Sequence, residues 1–204
     1  MKIKHLALLA LAFPTALFGA ITLDLTSPGS SGTINGALFY QSDIKSTGTG
    51  VIDSFLRIQK NGTEEGYNTD GAKVYDVKDS HSVLWSSISQ VEIDNILYRE
   101  FLLDINQNKE PQNAPSLLSL DDLKIYMAST GNLTGPVAGL AGQGATQIYD
   151  LDNGGDNWIV LNFNNAPGSG GGDMYAYIPD SLFNNSSKPY VYLYAKLGVK
   201  NSAN

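Results

Sequence analysis

The chain has 204 residues, no cysteine, 21 glycines and 13 basic residues against 20 acidic ones, and 42% of it is apolar. That is too apolar for a disordered chain and too short for more than one or two domains. Without cysteine there is no disulfide framework, thiolate metal site or cysteine nucleophile. A net charge of −7 argues against nucleic acid, whose phosphates call for a basic footprint.

Lys2, Lys4 and His5 precede an apolar stretch from Leu6 to Phe18, and the small Gly19 and Ala20 follow. This order predicts a secretory signal peptide over residues 1–20. The stretch falls short of the ~18–20 residues that span a bilayer, so no transmembrane segment is expected in the mature chain. Loss of Lys2 and Lys4 leaves 11 basic against 20 acidic residues, a net charge of −9. The expected product is secreted and extracellular. At this size burial of about 70% of the unfolded surface allows a core to hold the chain without disulfides.

Short alternating runs follow, separated by Gly, Asn, Asp and Ser. Ile21, Leu23 and Leu25 alternate with Thr22, Asp24 and Thr26. Ile52, Leu56 and Ile58 share one parity in a run that ends at the turn dipeptide Asn61-Gly62. Residues 95–105 predict a strand with Leu97, Phe101, Leu103 and Ile105 on one side. Residues 120–126 read either as a turn of helix or as a strand. Residues 158–163 and 174–178 predict strands, residues 179–183 a helical turn led by Pro179, and Tyr190 to Ala195 alternates with period two. The expectation is a single domain over residues 21–204, an all-β, two-sheet antiparallel sandwich of jelly-roll type with long loops. Four long polar segments interrupt the strands, at 61–72, 106–116, 129–146 and 166–173, and connections of that length are functional or mobile.

Two groups of oxygen-bearing turn residues suggest calcium. Asp104-Ile105-Asn106-Gln107-Asn108 places oxygens at alternate positions, with Asp121-Asp122 further on, and the second group is Asp150, Asp152 and Asp156 among glycines. A hard cation wants six to eight such oxygens. Asp104, Asn106 and Asp121 form one expected ligand set, and Asp150, Asp152 and Asp156 the other. Neither completes an EF-hand, and Asp or Asn capping its own turn is the alternative.

No cofactor other than calcium is suggested. Outside the leader the only histidine is His81, beside Ser80 and Ser82, and no G-x-S-x-G elbow accompanies it. Glu92 and Glu100 leave a glycoside hydrolase or lyase open as a lesser reading. Tyr190, Tyr192 and Tyr194 share one face of the last strand. With Trp158, Tyr192 and Tyr194 could stack on the sugar rings of an extracellular polysaccharide; otherwise they form an aromatic cluster beneath the Gly-rich loops.

Several phrases carry a resemblance across most of the mature chain. They are Gly48-Thr49-Gly50-Val51-Ile52-Asp53, Glu64-Glu65-Gly66-Tyr67-Asn68-Thr69-Asp70, Phe101-Leu102-Leu103-Asp104-Ile105-Asn106 and Leu118-Ser119-Leu120-Asp121. Downstream come Tyr149-Asp150-Leu151-Asp152, Gly172-Asp173-Met174-Tyr175-Ala176-Tyr177-Ile178-Pro179 and Tyr190-Val191-Tyr192-Leu193-Tyr194. This order resembles exported bacterial proteins of the PEP-CTERM (exosortase-sorted) type, although the sorting tail is not among these 204 residues. The resemblance implies export and no particular activity. A non-enzymatic secreted, surface or matrix protein is therefore expected, steadied by calcium, with polysaccharide or other matrix and surface proteins as partners. A glycan-binding module is the alternative.

Overall fold

The computed structural model describes residues 19–42, 54–60, 62–75, 77–106, 116–166 and 170–200. Most of the expected signal peptide, the Ile52 end of the second run, Asn61 and Asn108 lie outside those residues.

The first sheet contains seven strands. They are β1 (Thr22–Leu25), β5 (Glu64–Tyr67), β7 (Val83–Leu84), β10 (Leu117–Ala128), β11 (Thr146–Asp150), β12 (Trp158–Asn162) and β14 (Tyr190–Leu197). Its main order is β1-β12-β10-β14-β5, with β11 also paired to β10 and β7 to β14. The second sheet runs β2-β3-β13-β9-β8, from β2 (Ser31–Ile34), β3 (Ala37–Gln41), β8 (Gln90–Ile93), β9 (Ile96–Leu103) and β13 (Met174–Pro179). A small ribbon joins β4 (Arg57–Ile58) to β6 (Val77–Lys78). Pairing is antiparallel except between β1 and β12, which run parallel. The fold is thus the expected all-β sandwich, with short 3-10 turns as its helical content among the described residues.

Alternation explains the core. In β13, Met174, Ala176 and Ile178 are buried while Tyr175 and Tyr177 are half-buried on the other face. Phe39 from β3, Ile159 and Leu161 from β12, and Val191 from β14 join them between the sheets. Two hairpins of the second sheet close through Asn35-Gly36 and Asp94-Asn95. All four residues take positive φ, the conformation of two-residue turns matched to strand twist.

Residues 120–126 are strand, and their ambiguous pattern has a specific origin. In β10 the core positions are Leu118, Leu120, Leu123 and Ile125, a spacing broken once. The register against β14 shifts between Leu120 and Asp122 because Asp121 is the extra residue of a β-bulge. Pro179 stands at the N-cap of the 3-10 turn Asp180–Leu182, one place before the expected position.

A second core lies outside the first sheet. Tyr67, Tyr126, Leu133, Leu140, Tyr192 and Tyr194 pack together under residues 129–146. Tyr192 is 0% and Tyr194 4% exposed. The long Gly-rich segment is thus a packed cover, pinned where the Tyr67 hydroxyl donates to the Gly135 carbonyl at 2.7 Å. Gly71 lets the cover approach, since a Cβ there would meet the Asn132 carbonyl oxygen at 2.5 Å.

Candidate functional site

The expected calcium sets are rearranged by the fold. Asp121 faces the end of β14, where its Oδ2 accepts from Val199 N at 2.6 Å and its Oδ1 from Lys200 N at 3.1 Å and from Ser119 Oγ at 2.8 Å. It caps that turn and does not join Asp104. Asp156 pairs with Lys200 at 2.8 Å. Asn106 is exposed at the end of a described segment.

Asp150 and Asp152 do stay together, and the bulge brings Asp122 to them, with one oxygen from each within 4.8 Å of the others. Lys124 already occupies this group, bonding to Asp122 and lying 3.5 Å from Asp150. Asp150 Oδ1 also accepts from Asp152 N, and Asp152 Oδ1 from Asn157 N, each at 2.9 Å. Burial pushes the Asp122 and Asp152 carboxyls up. The Lys124 ammonium is disfavoured by burial, but its bond to Asp122 and the charges of Asp150 and Asp152 outweigh this and raise its pKa. The cluster is a turn clasp with an internal cation.

Asp104 belongs to a different arrangement, which also includes Asp173. Its Oδ2 accepts from Gly170 N at 3.1 Å, while Asp173 Oδ2 accepts from Ile105 N at 2.6 Å. Asp173 is 3% exposed, and Oδ1 of both residues is buried with no hydrogen-bond partner among the described residues. Burial, opposed by the Ile105 bond and reinforced by the Asp104 charge, pushes the Asp173 carboxyl up to about 7. Asp173 was not foreseen as a site residue. Its only sequence signal was a position directly before the strand expected from residue 174; in the structure Asp104 directly follows β9.

The aromatic expectation also changes place. Tyr192 and Tyr194 are buried, so they cannot offer a face to sugar. Trp158 is half-buried beneath the Lys200 ammonium, 4.9 Å from its ring centroid. Rings gather instead on the outer face of the second sheet. Tyr175 and Tyr177 stack at 5.6 Å, and Tyr40 meets Tyr177 edge-on at 6.2 Å. Tyr98 meets Tyr177 from the other side at 6.4 Å. Tyr40 is 40% exposed, and the Tyr177 hydroxyl is hydrogen-bonded to Glu100. Burial and the Glu100 charge raise the Tyr177 pKa to about 12. The strand alternation that would reveal this face was visible at Tyr175 and Tyr177. The adjacency of Tyr40 depends on the pairing of β3 with β13, which puts Tyr40 opposite Tyr175.

His81 is exposed, and the neighbouring Ser82 hydroxyl donates to Asp70 at 2.6 Å. Between the sheets lies a cavity of about 870 Å³, walled by apolar side chains including Leu120, Ile125, Met174 and Leu193. Of its carboxylates, Glu64 accepts from Lys60 N at 2.9 Å, Glu100 bonds to Tyr177 and Asp104 accepts from Gly170. No helix among the described residues is long and apolar enough to cross a membrane. No protein family, curated protein or solved structure matches the chain.

Proposed function

We propose that this chain is an exported, non-catalytic β-sandwich of the cell surface or extracellular matrix that binds a neutral polysaccharide on the outer face of its second sheet. The observation that carries the reading is the contiguous ring group Tyr40, Tyr175 and Tyr177, spread over two paired strands with Glu100 beside it. A tyrosine offers an apolar ring for the axial C–H face of a sugar and a hydroxyl for its edge. Glu100 supplies an acceptor for sugar hydroxyls. The acidic balance, −7 before any processing, favours an uncharged glycan over an anionic one. The basic and apolar leader supports export.

Affinity electrophoresis through gels holding laminarin, soluble xylan or alginate tests this. Retardation by a neutral polymer, abolished in the Tyr40→Ala/Tyr177→Ala variant while its melting temperature holds, is expected. Retardation only by alginate, retardation unaffected by the double substitution, or migration unchanged in every gel would overturn the reading.

A further inference from the structure

We propose that Asp104 and Asp173 together bind a calcium ion at the edge of the second sheet. The last pair of the β9–β13 ladder is Leu103 with Met174. One step further along that antiparallel register, Asp104 stands opposite Asp173. Residues directly opposite across such a pair have Cβ atoms about 4.5–5.5 Å apart, and like charges placed so repel.

The chain nevertheless holds both carboxylates in place. The Leu103 carbonyl accepts from Asp173 N at 2.8 Å, and Ile105 N returns a bond to Asp173 Oδ2 at 2.6 Å, bracketing Asp104 on both sides. Gly170 N holds Asp104 Oδ2. Each carboxylate thus commits one oxygen to an amide of the other's segment and keeps its second oxygen buried, with no partner among the described residues. A buried carboxylate oxygen with no donor is unfavourable unless a positive charge meets it. No cation is within salt-bridge distance of either residue among the described side chains, whereas the comparable cluster at Asp122 has Lys124.

Calcium fits better than a smaller ion. It accepts irregular oxygen sets and completes its shell with water and carbonyls, while magnesium demands near-ideal octahedral geometry. Gly172, beside Asp173, lets this edge pack closely, because a Cβ there would lie 2.5 Å from Leu102 Cδ1 and 3.1 Å from the Ser42 hydroxyl.

Thermal unfolding of the full chain at pH 8, in excess EGTA and then in 5 mM CaCl2, tests the site. A rise of about 5 °C with calcium is expected for the unsubstituted protein, in line with linkage at tens of Kd for a domain of this size. The rise should vanish in Asp104→Asn/Asp173→Asn and persist in Asp152→Asn. Isothermal titration with CaCl2 should give one site in the parent and none in the double variant, which keeps the test valid if that variant melts low. The proposal is overturned if calcium leaves the parent unmoved, which would mean the pair shares a proton instead. It is equally overturned if the double variant responds like the parent, or if Asp152→Asn is the variant that loses the response.

Discussion

The Tyr192 hydroxyl accepts a hydrogen bond from Leu133 N at 3.0 Å and gives its own proton to the Thr130 carbonyl at 2.7 Å. One phenol therefore terminates two backbone groups of the Gly-rich cover, from beneath. Tyr192→Phe keeps the ring and strands the buried Leu133 amide, an error that costs about 1–3 kcal/mol. Urea unfolding should show a lower midpoint with an unchanged slope. An unaltered midpoint would mean that the cover closes without this tie.

Arg99 should matter more. Its Nε donates to Asp180 at 2.6 Å, its Nη1 reaches the Ile88 carbonyl at 2.7 Å and the Trp85 carbonyl at 3.2 Å, and its guanidinium lies 4.8 Å from the Trp85 ring centroid. The side chain is 8% exposed, whereas that of Asp180 is 25% exposed. Truncation takes the guanidinium donor from Asp180 and the Ile88 carbonyl and leaves the Trp85 carbonyl with Ile88 N alone, so Arg99→Ala should lose about 3 kcal/mol, the lower end of the range for a broken buried pair. Arg99→Lys should recover only part, because one ammonium cannot serve Asp180 and both carbonyls of the 85–88 turn. Full recovery by lysine, measured by denaturant titration, would contradict the role given to the fork.

Alkali should open the second core before it opens the first. Burial raises the phenol pKa of Tyr67 to about 12 and also lifts those of Tyr126, Tyr192 and Tyr194. A phenol held above its unfolded value of about 10 stabilises the native state fully below that pH and loses the contribution as pH climbs through the native value. Absorbance at 295 nm should therefore show a steep late phase of tyrosine ionisation coincident with loss of near-ultraviolet dichroism. One smooth curve centred at 10 would refute it.

Strand alternation made much of the architecture readable in advance. The ends of β12, β13 and β14 lie within a few residues of the runs from which they were expected. Three features resisted for identifiable reasons. The bulge at Asp121 shifts the phase of β10, so a strand reads locally like a helix turn. The hairpin at Asn35-Gly36 joins strands of four and five residues whose alternation is diluted by Ser31, Gly32 and Thr33. Asp173 gains its significance only from the β9–β13 register, which relates positions about seventy residues apart. The grouping of Asp150 with Asp152 was legible because it is local. The separation of Asp104 from Asp121 was not, because it depends on which way each strand end turns. Likewise, period two revealed that Tyr192 and Tyr194 share a face, but only the fold reveals that residues 129–146 lie over it.

The position of β14 has a consequence for how the molecule is made. The strand lies between β10 and the edge strands β5 and β7, and among the described residues it is the ladder partner of both within that sheet. Residues 64–67 and 83–84 must wait, during synthesis or threading, for a segment more than a hundred residues downstream. Pairings so distant in sequence form late and slowly. A polypeptide cut short before Tyr190 would leave β10 with an open flank and the tyrosine layer without its floor. β14 is the keystone, and this sheet closes on its arrival rather than by progressive growth.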